Sequence, residues 1–275
     1  MIKEIFFLNA INIAVEAGKK IIEIYNNDDY KVENKSDNSP LTLADKTSNT
    51  IITNKLQSVF PILSEEGKHT GYEIRKNWDY FWLIDPLDGT KEFIKKNGEF
   101  TVNIALIKKD QPVMGVIFVP VTQELYFGSL NHGAYKLTLR EFENFSSFNE
   151  LIRKAIKLPI NNNRNNFVIV ASRSHMNDET KEFIEKLKSK YKNAELKSRG
   201  SSLKLCMVAE GNADIYPRFA PTMEWDTAAG HAIAHAAGCK IVKPDGSPVK
   251  YNKKELLNPW FIVYAGNFND NTISN

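Results

Sequence analysis

Five apolar residues in a row, Tyr80-Phe81-Trp82-Leu83-Ile84, stop at Asp85-Pro86-Leu87-Asp88-Gly89-Thr90. A short continuous apolar run bounded by turn formers predicts a buried strand whose C-terminal end opens into a turn. Such a strand needs a core to be buried in. A chain of 275 residues, 42% hydrophobic and 25% charged, is long enough to supply one and has the composition of an ordinary globular protein.

Other segments show their periodicity in the same way. Ile13, Ala17, Ile21 and Ile24 recur at helical spacing, so the first ~25 residues predict an amphipathic helix that ends at the turn formers Asn26 to Asp29. A second helix is expected from about Ala44 to Phe60, stopped by Pro61. Strand-like runs at 100–107, 113–119 and 124–128 predict an antiparallel meander. The stretch 141–166 is rich in Asn, Phe and Ser and has little period, which places a boundary between an N-terminal α+β half (1–160) and a C-terminal α/β half (161–275). Beyond it a strand at 167–171, helices at 178–191 and 201–210 and a short strand through Ile215 are expected. A helix over 224–237, stopped by Gly238, and strands at 240–242 and 261–265 complete the reading.

Charge narrows the partners. With 36 basic and 33 acidic side chains the net charge is +3, too even for a surface that tracks a nucleic-acid backbone. The two cysteines, Cys206 and Cys239, sit in apolar stretches without zinc or disulfide spacing, and read as small buried hydrophobes in a reducing cytoplasm. The first 25 residues lack the basic start and cleavage site of a signal peptide, and no window approaches the ~18 apolar residues of a membrane span.

The residues that carry chemistry are acidic. Asp85 and Asp88 flank Pro86-Leu87 directly after the apolar run, so one tight turn aims both carboxylates into a small volume. Gly89 permits close approach of a ligand, Thr90 adds a hydroxyl, and Lys91 to Ile94 read as the opening of a helix, whose free N–H groups suit a phosphate. Glu65-Glu66 form a second acidic pair after the apolar stretch Phe60 to Leu63, and Asp226 is a third site at the start of an Ala-rich helix. Carboxylates that converge from separate segments are what magnesium and multi-metal phosphoryl transfer require. Each position also has a plain reading: Asp88-Gly89 as a turn, Glu65-Glu66 as solvated surface, Asp226 as a helix N-cap. Spacing alone does not bring them together.

The motifs do resemble a known family. Ile84 to Thr90 is similar to the signature of the inositol monophosphatase superfamily, lithium-sensitive magnesium phosphatases; Trp225-Asp226-Thr227-Ala228-Ala229-Gly230 resembles its second signature, and Ser64-Glu65-Glu66 its upstream acidic pair. Further runs resemble the 3'(2'),5'-bisphosphate nucleotidase branch: Asp37 to Thr42, Asp88 to Ile94, Asn97 to Asn103, Ser172-Arg173-Ser174-His175, Gly200 to Lys204 and Tyr216 to Phe219. Residues 138–166 match no motif.

That resemblance implies a layered α/β/α/β/α sandwich of the inositol monophosphatase/fructose-1,6-bisphosphatase type. It implies hydrolysis of the 3'-phosphate of adenosine 3',5'-bisphosphate to AMP, with relatives that accept the sulfated form, in sulfur assimilation and nucleotide recycling. Two or three Mg2+ ions are expected on Glu65, Asp85, Asp88 and Asp226, with the Leu87 carbonyl as a further ligand. Asp45 and Thr90, together with Glu65, are expected to position the attacking water. The backbone of Gly89 and Thr90 is expected to hold phosphate. Among basic and polar residues, Arg173, Ser201, Lys204 and Arg218 are candidates for the nucleotide, the three basic ones each with a surface or structural ion pair as the alternative, and His175 reads as a loop histidine. The implied partner is a small nucleotide bisphosphate, with no nucleic acid and no membrane span, though members of the branch sit at the inner face of the membrane. Two other readings stand beside this one: an inositol or broad sugar-phosphate phosphatase on the same metals, and a catalytically silent ligand-binding protein.

Overall fold

The computed structural model describes residues 3–27, 32–34, 40–160, 164–172, 176–266 and 268. Its elements in chain order are α1 (Glu4–Tyr25), β1 (Val32–Asn34), β2 (Pro40–Thr42), α2 (Leu43–Leu56), β3 (Ile62–Ser64), α3 (Tyr72–Arg75), β4 (Tyr80–Asp88) and α4 (Thr90–Ile94). Then come β5 (Thr101–Lys108), β6 (Gln111–Val119), β7 (Glu124–Ser129), β8 (Gly133–Thr138), α5 (Phe148–Lys154) and β9 (Ile156–Lys157). The remainder is β10 (Phe167–Ala171), α6 (Asp178–Lys190), β11 (Ala194–Ser198), α7 (Leu203–Ala209), β12 (Ile215–Arg218), α8 (Glu224–Ala236), β13 (Lys240–Val242) and β14 (Phe261–Tyr264).

The apolar run at Tyr80–Ile84 is the reason β4 lies inside a sheet. Side chains alternate across a strand. Trp82 and Ile84 point into a core shared with α1 and α2, whereas Phe81 and Leu83 point into a core shared with α7 and α8. Strands β3 to β9 form a seven-stranded sheet in sequence order, antiparallel except for the parallel β3–β4 pair. A second sheet runs β11-β10-β12-β14-β13. Helices α1 and α2 cover one face of the large sheet and α8 crosses its other face; α7 packs between α8 and the small sheet. Ile184 and Leu187 of α6 cover the outer face of that small sheet against Ile169, Ile215 and Ile262. The layering is α/β/α/β/α, as expected.

One close approach sets the position of α8. A Cβ on Gly115 of β6 would lie 2.1 Å from the Ala229 carbonyl oxygen, so the helix backbone rests directly on the sheet and only glycine fits there. Asp226, in the first turn of α8, is thereby brought to the end of β4.

The structure corrects several boundaries. Helix α2 ends at Leu56 and not at Phe60, where a turn precedes Pro61. Strand β4 continues past Ile84 to Asp88, with its register against β5 slipping between Asp85 and Asp88. The stretch 141–166 holds α5, capped by the Ser147 hydroxyl, and β9, which pairs with β8 and completes the large sheet. Strands β3, β8 and β11 were not expected; they are short or lie near a sheet edge, where the apolar alternation is weak. Cys206 and Cys239 are buried and unbridged. No helix among the described residues is long and apolar enough to cross a membrane.

Candidate active site

The parallel β3–β4 pair builds the first half of the site. Ser64 is the register partner of Ile84 and the Glu65 N–H donates to the Ile84 carbonyl at 3.1 Å, so Glu65, just past the end of β3, lies beside Asp85 within β4. The Asp85 carboxyl is buried, accepts the Leu87 N–H at 3.1 Å and shares a hydrogen bond with Glu65. Burial pushes it well above the usual carboxylate range, and the charges of Glu65, Asp88 and Asp226 push it further. The Asp226 carboxyl is raised too, by desolvation and then by Asp88, although it accepts the Met223 N–H at 2.8 Å. Asp226 is therefore the third residue of α8 closing back on the residue before the helix, not the N-cap itself.

Gly89 follows with φ +97°, a left-handed conformation in which a Cβ would also crowd the Glu99 carbonyl at 3.1 Å. The chain then enters α4, a helix of a single turn. Asp45, on the first turn of α2, is almost completely buried. Its Oδ2 accepts the Thr42 N–H at 2.8 Å and the Thr42 hydroxyl at 2.5 Å, and its Oδ1 accepts the Thr90 hydroxyl at 3.0 Å. The helix-capping reading and the contact with Thr90 are both realised.

Glu65, Asp88, Gly89, Thr90, Ser201, Lys204, Arg218 and Asp226 all line one cavity of about 250 Å³. Asp45, Asp85 and Leu87 do not line it; all three are buried. Arg173 and His175 fall outside the described residues, while Ser172 lines the cavity. Lys204 and Arg218 are buried and bond to backbone, Lys204 Nζ to the carbonyls of Arg199 (3.1 Å) and Ser201 (2.5 Å), and Arg218 Nη2 to that of Pro221 (2.8 Å). Arg218 Nε has no partner among the described residues. Burial lowers the Lys204 ammonium to about 8, with Asp88 opposing the shift.

These donors fit a hard divalent cation beside an anionic ligand. Among the described residues no three acidic, His or Cys side chains are drawn into a closed cage. Magnesium does not need one: it binds one or two carboxylates and completes its shell with water and phosphate oxygens. The energetic strain of like charges packed together is what a cation would relieve.

Sequence reasoning did not single out Thr101, Asn103 and Ser202, which are buried and bond to one another and to Asp88. A signal was available. Thr101 and Asn103 are polar residues two apart, on one face of a strand whose other residues as far as Ile107 are apolar and buried.

The chain matches the model of the inositol monophosphatase family over residues 4–265. The 3'(2'),5'-bisphosphate nucleotidase CysQ of Escherichia coli is 43% identical over 256 residues, 91% of this chain and 96% of that protein. Its counterpart in Buchnera aphidicola is 43% identical over 260 residues, 92% and 91% of the two chains. The crystal structure of CysQ from Bacteroides thetaiotaomicron superposes with a TM-score of 0.89 at 51% identity, covering 96% of this chain and 98% of that one. Matched in fold, in motifs and along nearly its whole length, the chain belongs to the inositol monophosphatase family.

Proposed function

We propose that this protein is a magnesium-dependent phosphatase that removes the 3'-phosphate from adenosine 3',5'-bisphosphate, giving AMP and phosphate. The observation that carries the reading is the shared cavity: carboxylates from the end of β4, from α8 and from the residue after β3 open into the same space as two buried cations, Lys204 and Arg218. A substrate with two phosphates uses both. CysQ relatives at 43% identity support the choice of nucleotide.

In this reading residues 1–160 supply Glu65, Asp85, Asp88 and the Leu87 carbonyl to magnesium, and residues 161–275 supply Asp226 and the nucleotide contacts. Bound magnesium supplies Lewis-acid stabilisation of phosphoryl oxygens and lowers the pKa of a bound water. The protein's own groups do the rest. The Thr90 hydroxyl already donates to Asp45 Oδ1, so its lone pair is left to accept a hydrogen from the attacking water and orient the water's oxygen toward phosphorus. Asp45 receives the proton through Thr90 as the water's oxygen bonds to phosphorus; the P–O3' bond breaks with its electron pair on the 3'-oxygen, which takes a proton from solvent water to become the 3'-hydroxyl of AMP. The backbone of Gly89 and Thr90 holds the phosphate being transferred. Lys204 and Arg218 hold the 5'-phosphate and fix the 3'-ester in place, so positioning and electrostatics carry most of the rate.

The test is a phosphate-release assay with Mg2+ on adenosine 3',5'-bisphosphate and inositol 1-phosphate side by side, repeated with Li+, which is expected to inhibit. Preference for the inositol ester by more than about tenfold, the ~1.4 kcal/mol scale of a real discrimination, would overturn the assignment to the nucleotide.

A further inference from the structure

Asp88 does not stand free in the cavity. Its Oδ2 accepts three donors: the Ser202 N–H at 2.7 Å, the Ser201 hydroxyl at 2.6 Å and the Asn103 side-chain amide at 3.3 Å. Two of these come from the segment between β11 and α7, on the small-sheet side; the third comes from β5 of the large sheet. Behind them lies a second tier. Thr101 Oγ1 is 2.7 Å from the Ser201 hydroxyl and 2.9 Å from the Ser202 hydroxyl, and Ser202 donates to Asn103 Oδ1 at 3.0 Å.

The donors converge in two steps. The Thr101 and Ser202 hydroxyls both donate to Asn103 Oδ1, at 2.9 and 3.0 Å. The Asn103 amide and the Ser201 hydroxyl in turn donate to Asp88 Oδ2, so Thr101 and Ser202 act on that oxygen through Asn103. Thr101, Asn103 and Ser202 are all buried, so water does not replace a lost member cheaply. The crossing segment is pinned as well: the Gly200 N–H donates to Glu99 Oε2 at 2.9 Å, and a Cβ at Gly200 would lie 2.8 Å from the Glu99 carbonyl oxygen. Ser201 holds φ +51°, an uncommon conformation for a residue with a side chain.

We propose that Thr101 and Asn103 are positioning residues for the metal site: Asn103 directly, and Thr101 through Asn103 and its contacts with Ser201 and Ser202, saturate Asp88 Oδ2 and so leave Oδ1 as the one oxygen turned to a cation. The proposal rests on the reading of Asp88 as a magnesium ligand. Neither residue touches substrate in it. Their effect is on how well the carboxylate is held before the cation arrives, and through it on how the two sheets are joined at the site.

The test measures metal binding directly on the full chain, stripped with a chelator and titrated with Mn2+, free Mn2+ being read by electron paramagnetic resonance. Thr101→Val and Asn103→Ala are expected to weaken Mn2+ by about 10–100-fold, the usual effect of losing an outer-shell partner. They should raise the Mg2+ concentration for half-maximal activity in parallel and leave KM for the nucleotide at saturating Mg2+ within about twofold. Thr101→Ser, which keeps the hydroxyl, should bind like the unaltered protein. Asp88→Asn is the reference. If Asp88→Asn loses Mn2+ while Thr101→Val, folded by circular dichroism, binds normally, the positioning role is wrong and the metal site stands. If Asp88→Asn itself binds Mn2+ normally, both the metal assignment and the positioning role are overturned. Because Thr101→Val is nearly isosteric, it carries the test should Asn103→Ala not fold.

Discussion

The Thr90 hydroxyl donates to Asp45 Oδ1 over 3.0 Å, tying the turn after β4 to the first turn of α2. The same carboxylate caps α2 through Thr42. Removing the hydroxyl therefore breaks the proposed water-positioning pair while the cap survives. Thr90→Val is expected to lower kcat by about 10²–10⁴, the range of a positioned proton acceptor, with KM little changed and the melting temperature retained. Thr90→Ser should keep most of the activity. Asp45→Asn should lose comparable activity and also about 1 kcal/mol of stability from the weakened cap. Saturating-Mg2+ kinetics and thermal melts on the three variants check this, and a Thr90→Val enzyme as fast as the original would remove Thr90 from the mechanism.

Asp85 is buried beside Glu65, with Asp88 and Asp226 adding charge. In the metal-free protein those charges oppose folding, because burial and repulsion both disfavour the ionised form. Asp85→Asn keeps the shape and an acceptor for the Leu87 N–H, and gains an N–H for Glu65. It should raise the melting temperature of the chelator-stripped protein by at least about 2 °C, yet abolish the further rise that Mg2+ gives the unaltered protein. Differential scanning calorimetry with and without Mg2+ reads both effects. A metal-free variant less stable than the original would show that Asp85 is a structural carboxylate and not one held for a cation.

Much of this was legible in the chain, for identifiable reasons. Strand β4 declared itself because it is buried on both faces, and β5 to β7 because their apolar runs are broken by turns. Strand β11 did not: among the described residues it pairs only with β10, and Glu195 and Leu196 are exposed, so no face of it needs an apolar repeat. Helix α5 carried its signal in Ser147 and Glu150, a capping pair inside a stretch whose missing period drew attention away from it. At the site, Asp85 and Asp88 stood out by following an apolar run. The arrival of Asp226 depends on α8 lying against Gly115, a packing fact that no local pattern contains.

His231 lies inside α8, buried, with its Nδ1 3.0 Å from the Tyr251 hydroxyl, which is also 3.2 Å from Thr227 Oγ1. Burial, with a smaller push from His235, lowers its pKa to about 3. The unfolded chain binds that proton near pH 6.5. Between those limits the unfolded state takes up a proton that the folded state refuses, so stability falls as pH drops from about 6.5 toward 3, by up to about 1.4 kcal/mol per pH unit. Above pH 6.5 the group contributes no slope. His231→Gln should flatten this part of a melting-temperature series between pH 7 and pH 4. An unchanged acid slope would place the sensitivity in other groups.

Lys204 and Arg218 are the buried cations of the cavity, and Arg218 Nε still lacks a partner among the described residues. If they hold the 5'-phosphate, their loss must discriminate between substrates with and without it. Arg218→Met is expected to lower kcat/KM for adenosine 3',5'-bisphosphate by about 10–100-fold, the worth of one charge-assisted hydrogen bond, and to leave adenosine 3'-monophosphate nearly unaffected. Lys204 adds a pH signature. Its pKa of about 8 means that the ammonium is lost as pH rises through 8, so affinity for the bisphosphate should weaken there while affinity for the monophosphate does not. Lys204→Met should erase that difference between the two profiles. A fall of equal size for both substrates in either variant would mean that these side chains hold the cavity wall, through the carbonyls of Arg199, Ser201 and Pro221, and do not read the second phosphate.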